Sequence, residues 1–368
     1  MDDHYYMKFA IDLAKRATGQ TSPNPIVGSV VVKNGEIAGF GAHLKAGQAH
    51  AEVNAIQMAG TEKTKGSTVY VTLEPCSHFG KTPPCSDLLI QTGVKRVVIA
   101  SVDPNPLVAG KGIEKLRKAG LEVELGICQD EALALNQVFF HYLKTKKPYV
   151  TLKTAASLDG KTATYTNESK WITGAEARLD VHQYRHQNDA ILVGVGTVLA
   201  DNPSLTTRLP NGGKNPIRII LDSNLRTPLD AKVVTDGEAP TWIITGSMPD
   251  LKKESALQNT LGVKVFSLPT LKVEIPSLLS ILGEEGVTSL FVEGGATVNG
   301  SFLKERAINQ LITYIAPKLI GGKRAPTIIE GEGFATMEEV MDLDIKEFTQ
   351  VGQDLKIVSV PKLIQKEG

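Results

Sequence analysis

Apolar residues recur at helical spacing early in the chain, at Met7, Ala10, Ile11 and Ala14, and predict a helix over Tyr5–Arg16. Two strand-like runs follow, Ile26–Val32 and Glu36–Gly41. They are separated by Lys33-Asn34-Gly35, a strong hairpin turn signal. Helical and alternating stretches then succeed one another. His50–Ala59 reads as a helix, Thr68–Leu73 as a strand, Ser86–Thr92 as a helix closed by Gly93, and Arg96–Ser101 as a strand. Gly112–Ala119 reads as a helix closed by Gly120, and Glu122–Gly126 as a strand. The basic stretch Lys144-Thr-Lys-Lys-Pro148 breaks the pattern as a hinge would. Beyond it, strands are expected at Tyr149–Thr154, Ala190–Val195, Ile217–Asp222, Thr241–Thr245, Val263–Ser267 and Ser289–Glu293. Helical stretches such as Thr173–His186 and Ile275–Glu285 alternate with them. This alternation predicts an α/β chain with a mostly parallel sheet in its second half. Domains are expected over 1–146 and 147–368, and no internal repeat or low-complexity segment interrupts them.

The length of 368 residues agrees with two cores rather than one. Forty basic and forty acidic side chains cancel, and no basic block stands out, so a nucleic-acid partner is not expected. The start, Met-Asp-Asp-His-Tyr-Tyr, is too acidic and polar for a signal peptide. No apolar run approaches the roughly 18 residues of a membrane span. The three cysteines are an odd count, and Cys128 reads as a small buried hydrophobe. A reducing, cytoplasmic setting is therefore expected.

The other two cysteines change the picture. His50-Ala51-Glu52, Glu74-Pro75-Cys76 and Pro84-Cys85 offer an imidazole, two thiols and an acid that follows the histidine by two positions. His50, Cys76 and Cys85 suit three positions of a tetrahedral zinc site, the fourth being left for water. Each metal segment sits where a strand gives way to a helix, and helix N-termini favour thiolate over thiol. Glu52 would then move protons rather than bind metal. This is the logic of the zinc deaminases, H-x-E followed by P-C-x-x-C, except that eight residues, Ser77 to Pro84, separate the cysteines here. A closed structural zinc site completed by Cys128, His78 or His43 is the alternative, with Glu52 an ordinary first-turn acid.

The segment Glu74-Pro-Cys-Ser-His-Phe-Gly-Lys-Thr-Pro-Pro-Cys85 resembles the riboflavin-biosynthesis deaminases, and the remainder of the chain resembles the reductase fused to them in many bacteria. The resemblance implies a cytidine-deaminase-like α/β/α zinc domain followed by a dihydrofolate-reductase-like α/β domain. It implies that Asn24 of Pro23-Asn-Pro25 is set against the substrate ring and that His43 lies in the substrate-side loop. Asp103 and Asn105 would help hold the substrate, and Lys81 would reach a 5′-phosphate.

In the second half the resemblance rests on Thr154-Ala-Ala-Ser-Leu-Asp-Gly-Lys161, Ser169-Lys-Trp-Ile-Thr173, Gly194-Val-Gly-Thr-Val-Leu-Ala-Asp-Asn-Pro-Ser-Leu-Thr206 and Val292-Glu-Gly-Gly-Ala-Thr-Val-Asn-Gly-Ser301. It implies NADPH contacts at Ala155, Trp171, Thr197, Asp201, Ser223, Gly295, Ala296, Thr297, Val298, Asn299, Gly300 and Ser301. Substrate contacts are implied at Ser169, Arg185, Leu205, Arg208 and Glu293. The last motif is also readable physically, as a strand, a glycine turn and a helix whose free N–H groups suit a pyrophosphate. No G-x-G-x-x-G stands in the chain, which argues against a standard dinucleotide fold. Arg185 and Arg208 suit phosphate, Ser223 and Arg226 suit a ribose 2′-phosphate, and Lys153 and Asp159 are the candidate acids for the reduction. The expected enzyme deaminates and then reduces a small phosphorylated pyrimidine, using zinc and NADPH, as a homo-oligomer with no nucleic-acid or membrane partner. A tRNA or free-base deaminase and a zinc-stabilised binding module are the rivals.

Overall fold

The protein is described here from a computed structural model, which covers residues 2–77, 79, 83–105 and 109–362. The chain divides into two compact units, Met1–Lys146 and Lys147–Gly368. Unit 1 runs α1 (Asp3–Lys15), β1 (Gly28–Lys33), β2 (Glu36–Ala42), α2 (Ala51–Thr64), β3 (Thr68–Val71), α3 (Cys85–Gln91), β4 (Arg96–Ile99), α4 (Lys111–Lys118), β5 (Glu122–Leu125), α5 (Gln129–Leu135) and α6 (Gln137–Thr145). Its sheet has the order β2-β1-β3-β4-β5, antiparallel from β2 to β3 and parallel from β3 to β5. Alternating side chains explain the three layers. Val31, Val69, Val71, Val97 and Ile99 pack against Ala55 and Ile56 of α2, Leu89 of α3 and Leu116 of α4. Val30, Val32, Tyr70 and Val98 point the other way, onto Met7, Ala10 and Ile11 of α1.

The hairpin forms as expected, with Asn34 and Gly35 both at positive φ, as its tight two-residue turn requires. In α2 the backbone leaves helical geometry at Gly60, so the regular helix ends where the sequence pattern places it. Two departures matter. The expected hinge at Lys144–Pro148 starts too early, because α6 carries Lys144 and Thr145 in its last turn and ends on Lys146 in the left-handed region. Neither α5 nor α6 was expected, and α6 turns out to wall the cavity described below.

Unit 2 comprises β6 (Tyr149–Ser157), α7 (Ala175–Gln187), β7 (Ala190–Gly194), α8 (Val195–Asp201), β8 (Ile217–Leu221), α9 (Lys232–Thr235), β9 (Thr241–Thr245), α10 (Leu251–Gln258), β10 (Val263–Ser267), α11 (Ile275–Glu284), β11 (Ser289–Val292), α12 (Ala296–Lys304), β12 (Gln310–Ala316), β13 (Leu343–Val351) and β14 (Asp354–Pro361). The sheet order is β10-β9-β8-β7-β11-β6-β12-β14-β13. The strands from β10 to β12 are parallel, and β14 and β13 close that edge antiparallel. Both faces are covered, one by α7 to α10 and the other by α11 and α12. Because β11 enters between β7 and β6, the winding reverses there, and the carboxyl ends of those strands open the crevice where such sheets take ligands.

Asp3 ties α1 to the sheet of unit 1. It accepts hydrogen bonds from Arg96 Nη1 at 2.9 Å, Arg96 Nη2 at 2.7 Å and Tyr70 Oη at 2.6 Å. The Arg96 hydrogen bonds hold its carboxyl at about 2 against the opposing effect of burial, with Tyr70 assisting. A depressed carboxyl contributes stability above its unfolded value and loses it as pH falls through the folded one. Asp3→Asn is expected to lower stability by about 1 kcal/mol at pH 7, allowing for solvent screening, with the difference closing between about pH 4 and pH 2. Urea denaturation of the two proteins across that range checks it, and equal midpoints at pH 7 would contradict it.

Candidate active sites

In unit 1 the first candidate ligand, His50, is the N-cap of α2, and Cys85 is the first residue of α3. The helix α2 lies close enough to β2 that a Cβ on Gly39 would meet Ala55 O at 2.3 Å, and one on Gly41 would meet Ala51 O at 2.8 Å. This contact fixes where His50 stands. His50 Nδ1 is 3.3 Å from Cys85 Sγ and 3.7 Å from Cys76 Sγ, and the Cys85 backbone N–H donates to Cys76 Sγ at 3.3 Å. The three donor atoms lie within 4.8 Å of one another.

Tetrahedral zinc, with bonds of about 2.3 Å to sulfur and about 2.0–2.1 Å to nitrogen, sets those atoms about 3.6 Å apart. The observed distances bracket that value, so the donor set fits zinc. Hydrogen bonds from the Cys85 thiol, then His50 and the Cys85 backbone, pull the Cys76 thiol down to about 4 despite burial. The Cys85 thiol is pushed up by its bond to that neighbouring sulfur and by burial. A dication between the sulfurs removes this conflict and favours two thiolates.

Glu52 is buried, 4 % exposed, beside the ligands. Burial first, then the charge of Cys76, raises its carboxyl to about 7. The site opens on a cavity of about 590 Å³ lined by Asn24, His43, Glu52, Asp103 and Asn105, with Phe139 and Leu143 of α6 forming an apolar wall. Buried His43 has both ring nitrogens engaged, Nδ1 with Ala49 O at 3.1 Å and Nε2 with Asn24 Nδ2 at 3.2 Å. Burial lowers its pKa. A neutral ring that donates from Nδ1 accepts from the Asn24 amide and so sets which way that amide faces. Among the described residues the metal group has three members, and neither His43 nor Cys128 joins it. His78 and Lys81 lie outside the described residues. Two supporting residues escaped the sequence reading. Asn136 bonds both backbone groups of Ile26, at 2.8 and 2.9 Å, and thereby holds the stretch that carries Asn24. Glu74 is the other, and is taken up below.

In unit 2, Glu293 follows β11 and is clamped by Arg185 of α7. Nε donates to Oε1 at 2.6 Å and Nη2 to Oε2 at 3.1 Å, while Nη1 donates to Thr206 O at 3.0 Å. Burial acts to raise the Glu293 carboxyl, but Arg185 and Lys153 outweigh it and hold the group below its ordinary value. Lys153, on β6, is lowered by burial against the pull of Glu293. His182 is lowered to about 4 by burial and by Arg185 and Arg208. Its Nδ1 accepts from the Arg208 backbone N–H at 3.3 Å.

Other expected residues are engaged within the fold. The Arg185 guanidinium serves Glu293 rather than standing open as a phosphate fork, whereas Arg208 is exposed. Leu205 is 5 % exposed, with its side chain in the core and φ at 53°, so only its backbone can face a ligand. Asp159 is occupied as a loop clamp, bonded by Ser157 Oγ and by the N–H groups of Ile320 and Gly321. Those bonds hold it at about 2, which leaves Lys153 as the remaining acid candidate.

The cofactor residues divide in the same way. Gly295 is the N-cap of α12, has no neighbour where a Cβ would be, and leaves the helix N-terminus without a side-chain cap, which suits a pyrophosphate. Ala296, Thr297, Val298 and Ser301 follow on α12. Ser301 Oγ donates to Thr297 O at 3.0 Å, and Val298 packs where Gly194 and Gly294 have no side chain. Asn299, however, is 3 % exposed and donates from Nδ2 to Ile328 O at 2.8 Å. A Cβ on Gly300 would lie 1.7 Å from Glu330 O. These two residues dock the segment 328–330. Asp201, at the end of α8, pairs with Lys170 at 3.1 Å and so ties down the loop that carries Ser169 and exposed Trp171, whose ring Arg178 covers at 4.6 Å. Thr197 is half-buried on α8, and Ala155 packs against the core from β6. Ser223 Oγ accepts from Val273 N–H at 3.0 Å.

Comparison with known proteins decides the family. Residues 148–357 match the model of the RibD C-terminal domain, and residues 1–101 match the cytidine and deoxycytidylate deaminase zinc-binding region. The chain is 56 % identical to the riboflavin biosynthesis protein RibD of Bacillus amyloliquefaciens, over 98 % of this chain and 96 % of that one. The chain belongs to the RibD family. It is 43 % identical to RibD of Escherichia coli strain K12, over 96 % of this chain and 98 % of that one. Its structure resembles Acinetobacter baumannii RibD with a TM-score of 0.87 at 42 % identity, covering 98 % of this chain and 99 % of that one. A Thermotoga maritima deaminase/reductase superposes with a TM-score of 0.85 at 36 % identity, covering 98 % of each chain. The expected fold is thereby established, a deaminase-like unit followed by a RibD reductase unit. As a RibD protein the chain is a bifunctional enzyme of riboflavin biosynthesis, with a zinc-dependent deaminase and an NADPH-dependent reductase. Among the described residues no helix is long and apolar enough to cross a membrane.

Gly300→Ala is expected to destabilise unit 2 by about 1–3 kcal/mol, because the added methyl overlaps the 328–330 backbone. Thermal unfolding checks this. An unchanged midpoint together with weakened NADPH binding would return Gly300 to the cofactor site.

Proposed function

We propose that the chain performs two consecutive reactions on one phosphorylated pyrimidine. The first hydrolyses the ring amine of 2,5-diamino-6-ribosylamino-4(3H)-pyrimidinone 5′-phosphate. The second reduces the ribosyl group of 5-amino-6-(5-phosphoribosylamino)uracil to ribityl. The observation that carries the reading is the triad of His50, Cys76 and Cys85 with a buried acid, Glu52, at the wall of a cavity sized for a small ring. The Thermotoga maritima protein bears the names of both activities.

When bound by the triad, zinc supplies a water acidic enough to attack at neutral pH. Glu52 accepts the proton that the water gives up and passes it to the departing amine, which leaves as ammonia. Its buried position and raised pKa suit a group that must both take and release a proton. Asn24, oriented by His43, reads the polar edge of the ring. Asp103 and Asn105, which line the same cavity, help hold the substrate, and Lys81 takes the phosphate. In the reductase, NADPH supplies the hydride. Glu293, fixed by Arg185, accepts from ribose hydroxyls, Lys153 donates the proton, and exposed Arg208 meets the phosphate. The α12 N-terminus holds the pyrophosphate, and exposed Arg226 faces the ribose 2′-phosphate. We place the enzyme in the cytoplasm, where its free thiols stay reduced, as a homo-oligomer.

The test incubates the purified chain with the diaminopyrimidine ribosylphosphate, following ammonia release and NADPH oxidation separately. Glu52→Gln is expected to keep zinc and to lose deamination by at least about 10²–10⁴-fold, while reduction of chemically deaminated substrate continues near the parent rate. Loss of both activities in a folded, zinc-loaded variant would contradict two separate sites. Cys76→Ser or Cys85→Ser is expected to abolish zinc retention, measured as metal per chain, and full occupancy in both would remove the site.

A further inference from the structure

Glu74 precedes the metal ligand Cys76 by two residues and is 4 % exposed. Its carboxylate collects backbone N–H groups from residues 29 to 39 positions further along the chain. Oε2 accepts from Asp103 at 3.3 Å and Gly110 at 3.0 Å, and Oε1 accepts from Gly112 at 2.9 Å and Ile113 at 3.3 Å. Gly110 is the N-cap of α4 and offers no side-chain cap. Glu74 therefore caps α4 from outside the helix, taking the N–H groups of its second and third residues and meeting the positive end of its dipole with a charge. The approach is tight, since a Cβ on Gly112 would lie 2.2 Å from Pro75 O. A second link reinforces it, as the Glu74 N–H donates to Ser101 O at 2.9 Å.

The clamped segment begins with Asp103, whose Oδ1 accepts from the Asn105 N–H at 2.8 Å, and both residues line the cavity. One side chain thus ties the turn that delivers Cys76 to the loop that delivers Asp103 and Asn105. We infer that Glu74 is a positioning residue of the deaminase that sets the substrate loop relative to the metal turn. The inference rests on the deaminase reading given above. The carboxylate is required rather than merely its shape. All four partners are donors, and the amide of a glutamine would turn N–H groups onto one pair of them, leaving those donors facing a donor.

Glu74→Gln in the full-length zinc-loaded protein tests the inference. Deaminase kcat/KM is expected to fall roughly 10- to 100-fold, mostly through KM, because misplacement of binding groups by about an ångström costs on that order while Glu52 and the ligands are untouched. Zinc content and NADPH-dependent reduction of deaminated substrate should match the parent. In a double-mutant cycle with Asn105→Ala the two losses should be strongly non-additive, since Glu74 acts through the loop that carries Asn105. Gly112→Ala, which leaves Glu74 intact but forces α4 away from Pro75, should reproduce the KM effect. A parent protein that released no ammonia would refute the deaminase reading itself. If the parent deaminates, three outcomes overturn the inference alone: a parental KM in Glu74→Gln, additive losses with Asn105→Ala, or a Glu74→Gln protein without its zinc, which would make Glu74 a residue of the fold.

Discussion

Zinc holds its ligands at radii fixed to within a few tenths of an ångström. The three donors here come from segments 26 and 9 residues apart, so the scaffold has to deliver them to that tolerance. Two helix starts accomplish this. The glycine-floored contact of α2 with β2 places His50, and the first residue of α3 places Cys85, whose backbone N–H then orients Cys76. The same helix starts supply partial positive charge where two thiolates must gather. The rest of unit 1 extends this arrangement outward. Glu52 is buried because it lies in the first turn of α2, and His43, Asn24 and the α6 wall complete a cavity around the metal turn.

Unit 2 solves a different electrostatic problem. Its charged groups neutralise one another around Glu293, which follows the carboxyl end of β11. Arg185 places its fork on Glu293 and its remaining nitrogen on Thr206 O, which couples α7, β11 and the connection that carries Arg208. His182 adds a second link to that loop. Lys153 sits among these groups, where burial lowers its pKa and the charge of Glu293 opposes that shift. The candidate reductase site is an ion-pair network held by packing, whereas the geometry of the candidate deaminase site is the one a metal radius requires.

The convergence of His50, Cys76 and Cys85 beside Glu52 was legible in the sequence because metal chemistry restricts identity at a few positions. The α/β alternation was legible because most strands and helices bury one periodic face. The failures have equally specific causes. In β12 both faces are at least half covered, so Gln310–Ala316 shows no clean alternation. In β13 a bulge between Ile345 and Glu347 breaks the period, and most of the strand is exposed. The apolar side chains of α6 serve a cavity rather than a core. Glu74 and Asn136 were invisible because their partners are backbone groups, which leave no trace in residue type. The contacts of Asn299 and Gly300 with the 328–330 segment, and of Arg185 with Glu293, 108 residues away, were invisible because of their distance along the chain.

The central claim is that unit 1 holds an open, three-ligand zinc site. X-ray absorption on the zinc-loaded full-length protein measures this directly. The account predicts two sulfur scatterers at about 2.3 Å, one imidazole nitrogen and one further light atom from solvent at about 2.0–2.1 Å. A shell of three sulfurs, or of two sulfurs and two imidazoles, would show a site closed by protein and would contradict the account.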